Sequence, residues 1–327
     1  MTTEHGGDLD TAIARFGGKR AQWLDLSTGI NPHPYPLPQL DTSVWTALPD
    51  KQLSRAVEKV AAARYQTTRP VLCLAGAQQA IQIYPLLCAE KRLRLSAHVL
   101  HPSYNEHEYQ LVQQGWQVTR KTQAAQLAGA DLAVMVNPNN PDGRSVPPQQ
   151  LLALADRVGF LVIDESFCDP LPHLSVCPHL TVAHDNVLVL RSFGKFYGLA
   201  GARLGFAIGE QALLDRIADR MGSWAVSGPS LAIGKAALGD QTWAARMIEQ
   251  LADDAHRLDQ LASLVSWRTI GGTSLFRLYQ MTDARHLQEH LARQYIWTRS
   301  FSYNDKWLRL GLPPASGWNR LQQAIIR

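Results

Sequence analysis

A chain of 327 residues, 46% hydrophobic and 18% charged, has the length for one large core plus a smaller appended domain, and the composition of an ordinary soluble globular protein. Its net charge of +4 is scattered, and the densest basic cluster, Lys91-Arg92-Leu93-Arg94, ends an apolar helix-like stretch. That excludes a basic stripe for a phosphate backbone, so no nucleic acid is expected as a partner.

No apolar run reaches the length of a bilayer span, so no membrane is expected. No charged-then-apolar leader opens the chain. Cys73, Cys88, Cys168 and Cys177 lack C-x-x-C spacing and a histidine at metal-site distance, and Cys73 and Cys88 sit in apolar runs as buried thiols. The expectation is a reduced, cytoplasmic enzyme-sized protein without a metal.

The first forty residues are rich in Gly and Pro and poor in periodic pattern. Alternate prolines in Asn31-Pro32-His33-Pro34-Tyr35-Pro36-Leu37-Pro38 remove donors and fix φ, which predicts an extended arm. Helix and strand then alternate: helix over 51–65, strand Val71–Leu74 ending at Ala75-Gly76, helix from Ala77 to Glu90, strand His98–Leu100, helix over 105–114. Strands follow at Asp131–Val136, Phe160–Ile163, Val187–Leu190 and Leu204–Ile208, with a helix over 147–157 between the first two.

Apolar strands without alternation, separated by helices, predict an α/β fold whose mostly parallel sheet is sandwiched by helices. After about residue 222 come a long helical tract over 231–262 and a smaller α+β domain, with strands near 268–279 and 295–300 and helices near 283–293 and 316–326. The expected organisation is an N-terminal arm over 1–40 contributing to the small domain and the active site, a large domain over 41–222, and a connecting helix plus small domain over 223–327.

In such sheets chemistry gathers beyond the carboxyl ends of the strands. The polar groups there are Gly76-Ala77-Gln78, Pro102-Ser103-Tyr104, Asn137 to Gly143, Asp164-Glu165 and Ser192-Phe193-Gly194-Lys195, with Arg203 eight residues on. Singly, each has an ordinary explanation: a surface lysine, a helix N-cap at Asp164-Glu165, a strand-to-helix turn, a core tyrosine. Together they compose one machine. A helix start, Ser192 and Arg203 can hold a phosphate, an aromatic ring can stack on a planar heterocycle, a buried carboxylate can keep a pyridine nitrogen protonated, and a lysine can form an imine.

In order and spacing these motifs resemble fold-type I enzymes dependent on pyridoxal 5'-phosphate (PLP), the aminotransferase superfamily, over nearly the whole chain. The resemblance implies that Gly76, Ala77, Gln78, Ser192 and Arg203 bind the cofactor phosphate. It further implies that Tyr104 stacks on the ring and that Asn140, in Asn137-Pro138-Asn139-Asn140-Pro141-Asp142-Gly143, bonds the phenolic oxygen. Asp164 would pair with the pyridinium, Lys195 would carry the cofactor as a Schiff base, and Arg309 in Trp307-Leu308-Arg309-Leu310-Gly311 would take a substrate carboxylate. These shared motifs do not choose between breaking Cα–H, as transaminases do, and Cα–carboxylate, as decarboxylases do.

The arm bears on that choice. His5-Gly6-Gly7-Asp8 and Leu26-Ser27-Thr28-Gly29-Ile30-Asn31-Pro32 resemble the arm of the threonine-phosphate decarboxylase family of cobalamin biosynthesis, as do Trp45 with Leu48-Pro49 and Trp224-Ala225-Val226-Ser227-Gly228-Pro229. A phosphorylated substrate needs donors of its own: amides of the Gly6-Gly7 turn, His5, a hydroxyl from Ser27 or Thr28, and Arg299, which matches a phosphate-contacting arginine of histidinol-phosphate aminotransferases. The ordinary readings are a frayed terminus for His5 and a surface strand charge for Arg299.

Three positions depart from the wider pattern. Phe167 replaces a tyrosine that many aminotransferases use on the cofactor oxygen. Leu48 replaces a tyrosine that reaches the neighbouring subunit's cofactor phosphate, and Asp142 replaces a turn threonine. The resemblance implies a homodimer that decarboxylates L-threonine O-3-phosphate. The alternatives are an aminotransferase acting on a phosphorylated substrate such as histidinol phosphate, a non-catalytic regulatory domain of the same fold, and a nicotinamide dehydrogenase. The last lacks its G-x-G-x-x-G fingerprint.

Overall fold

The computed structural model describes residues 6–90 and 95–326; His5 and the cluster at 91–94 lie outside them. The chain divides into two compact units. The larger comprises Tyr35–Asn140 and Arg144–Ala244, and the smaller takes the residues up to Pro34, Pro141–Gly143, and Ala245 onward. The boundary falls inside helix Gln241–Leu264.

The larger unit is built on a seven-stranded sheet of β1 (Val71–Leu74), β2 (Ser96–Leu100), β3 (Gln117–Lys121), β4 (Leu132–Val136), β5 (Leu161–Asp164), β6 (Val187–Ser192) and β7 (Gly205–Ile208), in the order β1-β7-β6-β5-β4-β2-β3. Neighbours from β3 to β6 are parallel, whereas β7 runs antiparallel to both β1 and β6. Every residue of β4, β5 and β7 is buried, which is why these strands show no polar alternation. Helices Ala77–Ala89, Asn105–Gln113 and Gln211–Met221 supply Ala80, Ile81, Tyr84, Leu111, Leu214 and Ile217 to one core with Val134, Val162, Leu188 and Leu190 of the strands.

Several elements differ from the sequence expectation, each for a local reason. β3 is an edge strand with mostly exposed, polar residues and gives no apolar signal. The tract expected over 231–262 is two helices, Gly228–Gly239 and Gln241–Leu264, parted at Asp240. Helix Gln211–Met221, capped by Glu210, was hidden by its mixed composition. Cys88 is only half-buried, while Cys73 is buried as expected.

The smaller unit carries an antiparallel sheet of β8 (Arg268–Thr273), β9 (Phe276–Gln280), β10 (Arg299–Phe301) and β11 (Asn304–Gly311), ordered β10-β11-β9-β8. The expected strand near 268–279 is thus a hairpin, and β11 was missed because it opens on the turn-like Asn304-Asp305. Leu24–Asp25 pairs in parallel with Ile296–Trp297. The N-terminal arm is not wholly irregular. Asp8 accepts from the Thr11 amide and starts helix Leu9–Phe16, whose Leu9 and Ala12 pack with Trp23 and Ala292.

Candidate active site

Within the larger unit, the expected cofactor residues stand at one edge of the sheet. Strand register puts Val136 beside Asp164, Asp164 beside Leu190, and both Leu74 and Ser192 beside Gly205. The chain just beyond β1, β4, β5 and β6 therefore converges. Gly76 precedes helix Ala77–Ala89 at φ 82°, a left-handed conformation that favours glycine. A Cβ there would lie 2.8 Å from the Arg203 guanidinium, so that guanidinium occupies the space glycine leaves open. Arg203 is itself left-handed at φ 51°, a conformation that non-glycine residues adopt at a cost and that clusters at functional sites.

Gly205 completes the cradle. A Cβ on it would lie 2.5 Å from the Ala77 nitrogen, so only glycine lets the helix start approach β7 this closely. The Ala75 amide donates to Gln79 Oε1 at 2.8 Å and steadies the turn. Ser192 ends β6, and its hydroxyl does not cap the short helix Phe193–Phe196 that carries Lys195.

Tyr104, half-buried ahead of helix Asn105–Gln113, donates to Gln78 Oε1 at 3.3 Å, and Gln78 Nε2 donates to the buried Glu106 at 2.8 Å. Burial, then Glu106, pushes the Tyr104 phenol up, so it stays a neutral donor. In the turn that holds Asn140, the neighbouring Asn139 receives the Ser103 hydroxyl at 2.7 Å and donates to the Pro102 carbonyl at 2.9 Å, tying that turn to the Tyr104 segment.

Asp164 is 2% exposed. Burial pushes its carboxyl up, but His107 Nε2 at 3.0 Å and the Ser166 hydroxyl and amide outweigh that and hold it below the usual carboxylate range. His107 Nδ1 meets the Tyr84 hydroxyl at 3.0 Å, an arrangement in which Nε2 carries the proton toward Asp164. Sequence reasoning missed His107; the signal was a histidine three residues after the stacking tyrosine, one helix turn away.

Glu165 and Arg191 face away from this edge, as strand alternation requires. Arg191 pairs with Glu165 at 2.7 Å and Asp169 at 3.1 Å and lies 4.2 Å over the Tyr65 ring. The N-cap reading of Asp164-Glu165 is thereby replaced: no helix starts there, Asp164 bonds His107 and Ser166, and Glu165 braces the strands through Arg191. Phe167 is buried, with Lys195 Nζ 5.6 Å from its ring centre, so an aromatic ring meets the lysine.

This donor set suits a phosphorylated pyridine aldehyde. A guanidinium, a hydroxyl and helix-start amides suit the phosphate, an ionised buried carboxylate suits a protonated ring nitrogen, and a lysine suits the aldehyde.

The residues expected to take substrate lie in the smaller unit. Arg299 and Arg309 are directly opposed partners on β10 and β11, which places both side chains on one face. Arg309 is buried, and burial followed by the charge of Arg299 pulls its guanidinium down to about 10. Its Nη2 donates to the Ser27 carbonyl at 2.6 Å. A Cβ on Gly6 would run into that same carbonyl, with Arg309 Nη2 3.5 Å away. Gly7, at φ 88°, donates its amide to Ser27 Oγ at 2.8 Å, and a Cβ on it would lie 3.3 Å from Thr28 Cγ2. Gly6, Gly7, Thr28 and Arg309 thus form one group.

Comparison with known proteins agrees with this geometry. The pattern of aminotransferase class I and II matches residues 21–325. The chain is similar to a threonine-phosphate decarboxylase of a Sinorhizobium species, 42% identical over 99% of this chain and 97% of the relative. It is also similar to a threonine-phosphate decarboxylase of Pseudomonas aeruginosa, 40% identical over 99% and 97%. Its fold is similar to that of a histidinol-phosphate aminotransferase from Sinorhizobium meliloti in complex with pyridoxal-5'-phosphate, with TM-score 0.80, 18% identity, and coverage of 97% of this chain and 92% of the other.

Proposed function

We propose, from the premise that the chain belongs to the aminotransferase class I and II family, that it is a PLP-dependent carboxy-lyase converting L-threonine O-3-phosphate to (R)-1-aminopropan-2-yl phosphate and CO2. The observation that carries the substrate class is the Arg299–Arg309 pair. Two guanidiniums opposed on one sheet face, one of them buried, repel each other, and a ligand with two anionic groups relieves that repulsion. Threonine phosphate has such groups, a carboxylate and a phosphate.

When bound, PLP supplies an aldehyde for amines and a protonated ring that accepts the electron pair of a broken Cα bond. Gly76, Ala77, Gln78, Ser192 and Arg203 would hold its phosphate, Tyr104 would stack on its ring, and Asn140 would bond its phenolic oxygen. Asp164 would hold a proton on the ring nitrogen, an ionised role that fits its lowered carboxyl. Lys195 would hold the cofactor through its ε-nitrogen and, once the substrate amine has displaced it, would be the proton donor to Cα. Arg309 grips the substrate carboxylate and sets its torsion. Arg299, the Gly6 amide of a Gly6-Gly7 turn whose Gly7 amide is taken by Ser27 Oγ, His5 and Thr28 would anchor the distal phosphate, so that binding far from the reacting carbon orients the bond that breaks.

The same reading makes the protein a cytoplasmic homodimer in cobalamin biosynthesis. The exposed apolar side chains Leu37, Trp45, Leu48 and Trp224 support the dimer. The test is incubation of PLP-loaded protein with L-threonine O-3-phosphate and no keto acid. Release of CO2 is the expected result; accumulation of pyridoxamine phosphate instead would make the protein an aminotransferase. O-phosphoserine, run in parallel, sets the substrate preference.

A further inference from the structure

Ser27 is 1% exposed, and each of its polar atoms is engaged within the protein. Its amide donates to Asp25 Oδ1 at 2.9 Å, and its hydroxyl donates to the same oxygen at 2.6 Å. A serine hydroxyl has one proton, and a carboxylate oxygen only accepts, so the Oγ lone pairs are left for the Gly7 amide at 2.8 Å. The Ser27 carbonyl receives Arg309 Nη2 at 2.6 Å. The segment that presents Ser27 is fixed on both sides, by Leu26 N to Trp297 O at 2.7 Å and by Gly311 N to Leu26 O at 2.7 Å. The hydroxyl considered above as a substrate contact is therefore committed within the protein.

We infer that Ser27 is a positioning residue that latches the Gly6-Gly7 turn through its hydroxyl and the Arg309 guanidinium through its carbonyl, with Asp25 setting the direction of the hydroxyl. This inference rests on the proposed function for its substrate terms: it ties the phosphate-anchoring turn to the carboxylate-gripping arginine through one residue. The spacing between two anion sites then becomes a property of the latch. Gly6 fits the scheme, because any side chain there would strike the Ser27 carbonyl.

Ser27→Ala separates the two halves, since it deletes the hydroxyl and keeps the carbonyl. Two measurements on the PLP-loaded full chain test it. Amide hydrogen exchange at Gly7, without substrate, is expected to quicken about tenfold in Ser27→Ala and less in Asp25→Asn, the loss of roughly one hydrogen bond. In kinetics, KM for L-threonine O-3-phosphate is expected to rise about tenfold, while the inhibition constant of L-threonine, which lacks the phosphate, stays put.

Unchanged exchange at Gly7 overturns the latch. An equal loss for threonine phosphate and threonine also overturns it, because that is what a general disturbance of the fold produces. Wild-type protein that releases no CO2 from threonine phosphate overturns the reaction instead, and the exchange measurement still decides the latch.

Discussion

At the carboxyl ends of the parallel strands, positive potential comes from a helix start, a hydroxyl and an arginine folded back over glycine, and the buried Asp164 carboxylate is hydrogen-bonded by His107 and Ser166. On the antiparallel sheet it comes from two like charges set on one face, one of them buried and donating to the Ser27 carbonyl. The first arrangement is at rest without a ligand. The second is electrostatically frustrated: burial first, and then the charge of Arg299, pulls its buried guanidinium down to about 10. A site that holds a permanent cofactor can be built for stability, whereas one that must release its product keeps some strain in hand.

The sharpest way to break this contrast is at Lys195. Lys195→Ala should cut CO2 release by about 10³-fold or more and abolish borohydride trapping of the cofactor, because no other group supplies both the amine and the proton. Arg309→Met comes next and should act with opposite signs on two quantities. Weakened carboxylate binding costs about 2–5 kcal/mol, seen as a raised KM, while the free protein melts at a higher temperature because a buried like charge is gone. If the melting temperature falls as KM rises, the frustration argument fails.

Gly205→Ala tests the other half of the comparison. Its methyl would press on the Ala77 amide at the cradle, and overpacking of about 1–3 kcal/mol should weaken PLP affinity, read by equilibrium dialysis. The smallest effect is expected from His107→Phe, about 1–2 kcal/mol, and it depends on pH. Asp164 lies below its usual 3.8 in the folded protein, so the stability it contributes is full above that value and fades as pH falls through the lowered one. Without the His107 bond, burial is less opposed and the carboxyl rises. The mutant's melting deficit should therefore be largest near neutral pH and shrink below about pH 4; a deficit constant with pH would detach His107 from Asp164.

The two regions also differ in what their residues disclose in one dimension. Cofactor positions follow strands at short intervals, so apolar runs such as Leu132–Val136 and Leu161–Asp164 point directly to the turns that matter. His107 escaped because a histidine inside a helix gives no sign of what it faces until the helix is packed. In the smaller unit, Arg299 and Arg309 meet only through strand register, Gly6 and Ser27 reach Arg309 from outside any strand, and β11, which carries Arg309, has no alternation to announce it. Motif resemblance marked the two arginines. That they oppose each other, and that Ser27 joins one of them to the arm, became visible only once the backbone was closed.

The short parallel pairing of Leu24–Asp25 with Ile296–Trp297 has a consequence for biosynthesis. Translation delivers Leu24–Asp25 long before its partner Ile296–Trp297, which follows the larger unit's residues. The sheet at Val71–Ile208 can collapse co-translationally, while the opening segment must wait as an unpaired edge. Emergence of Ile296–Trp297, rather than growth of the core, sets the moment at which the arm can take its place.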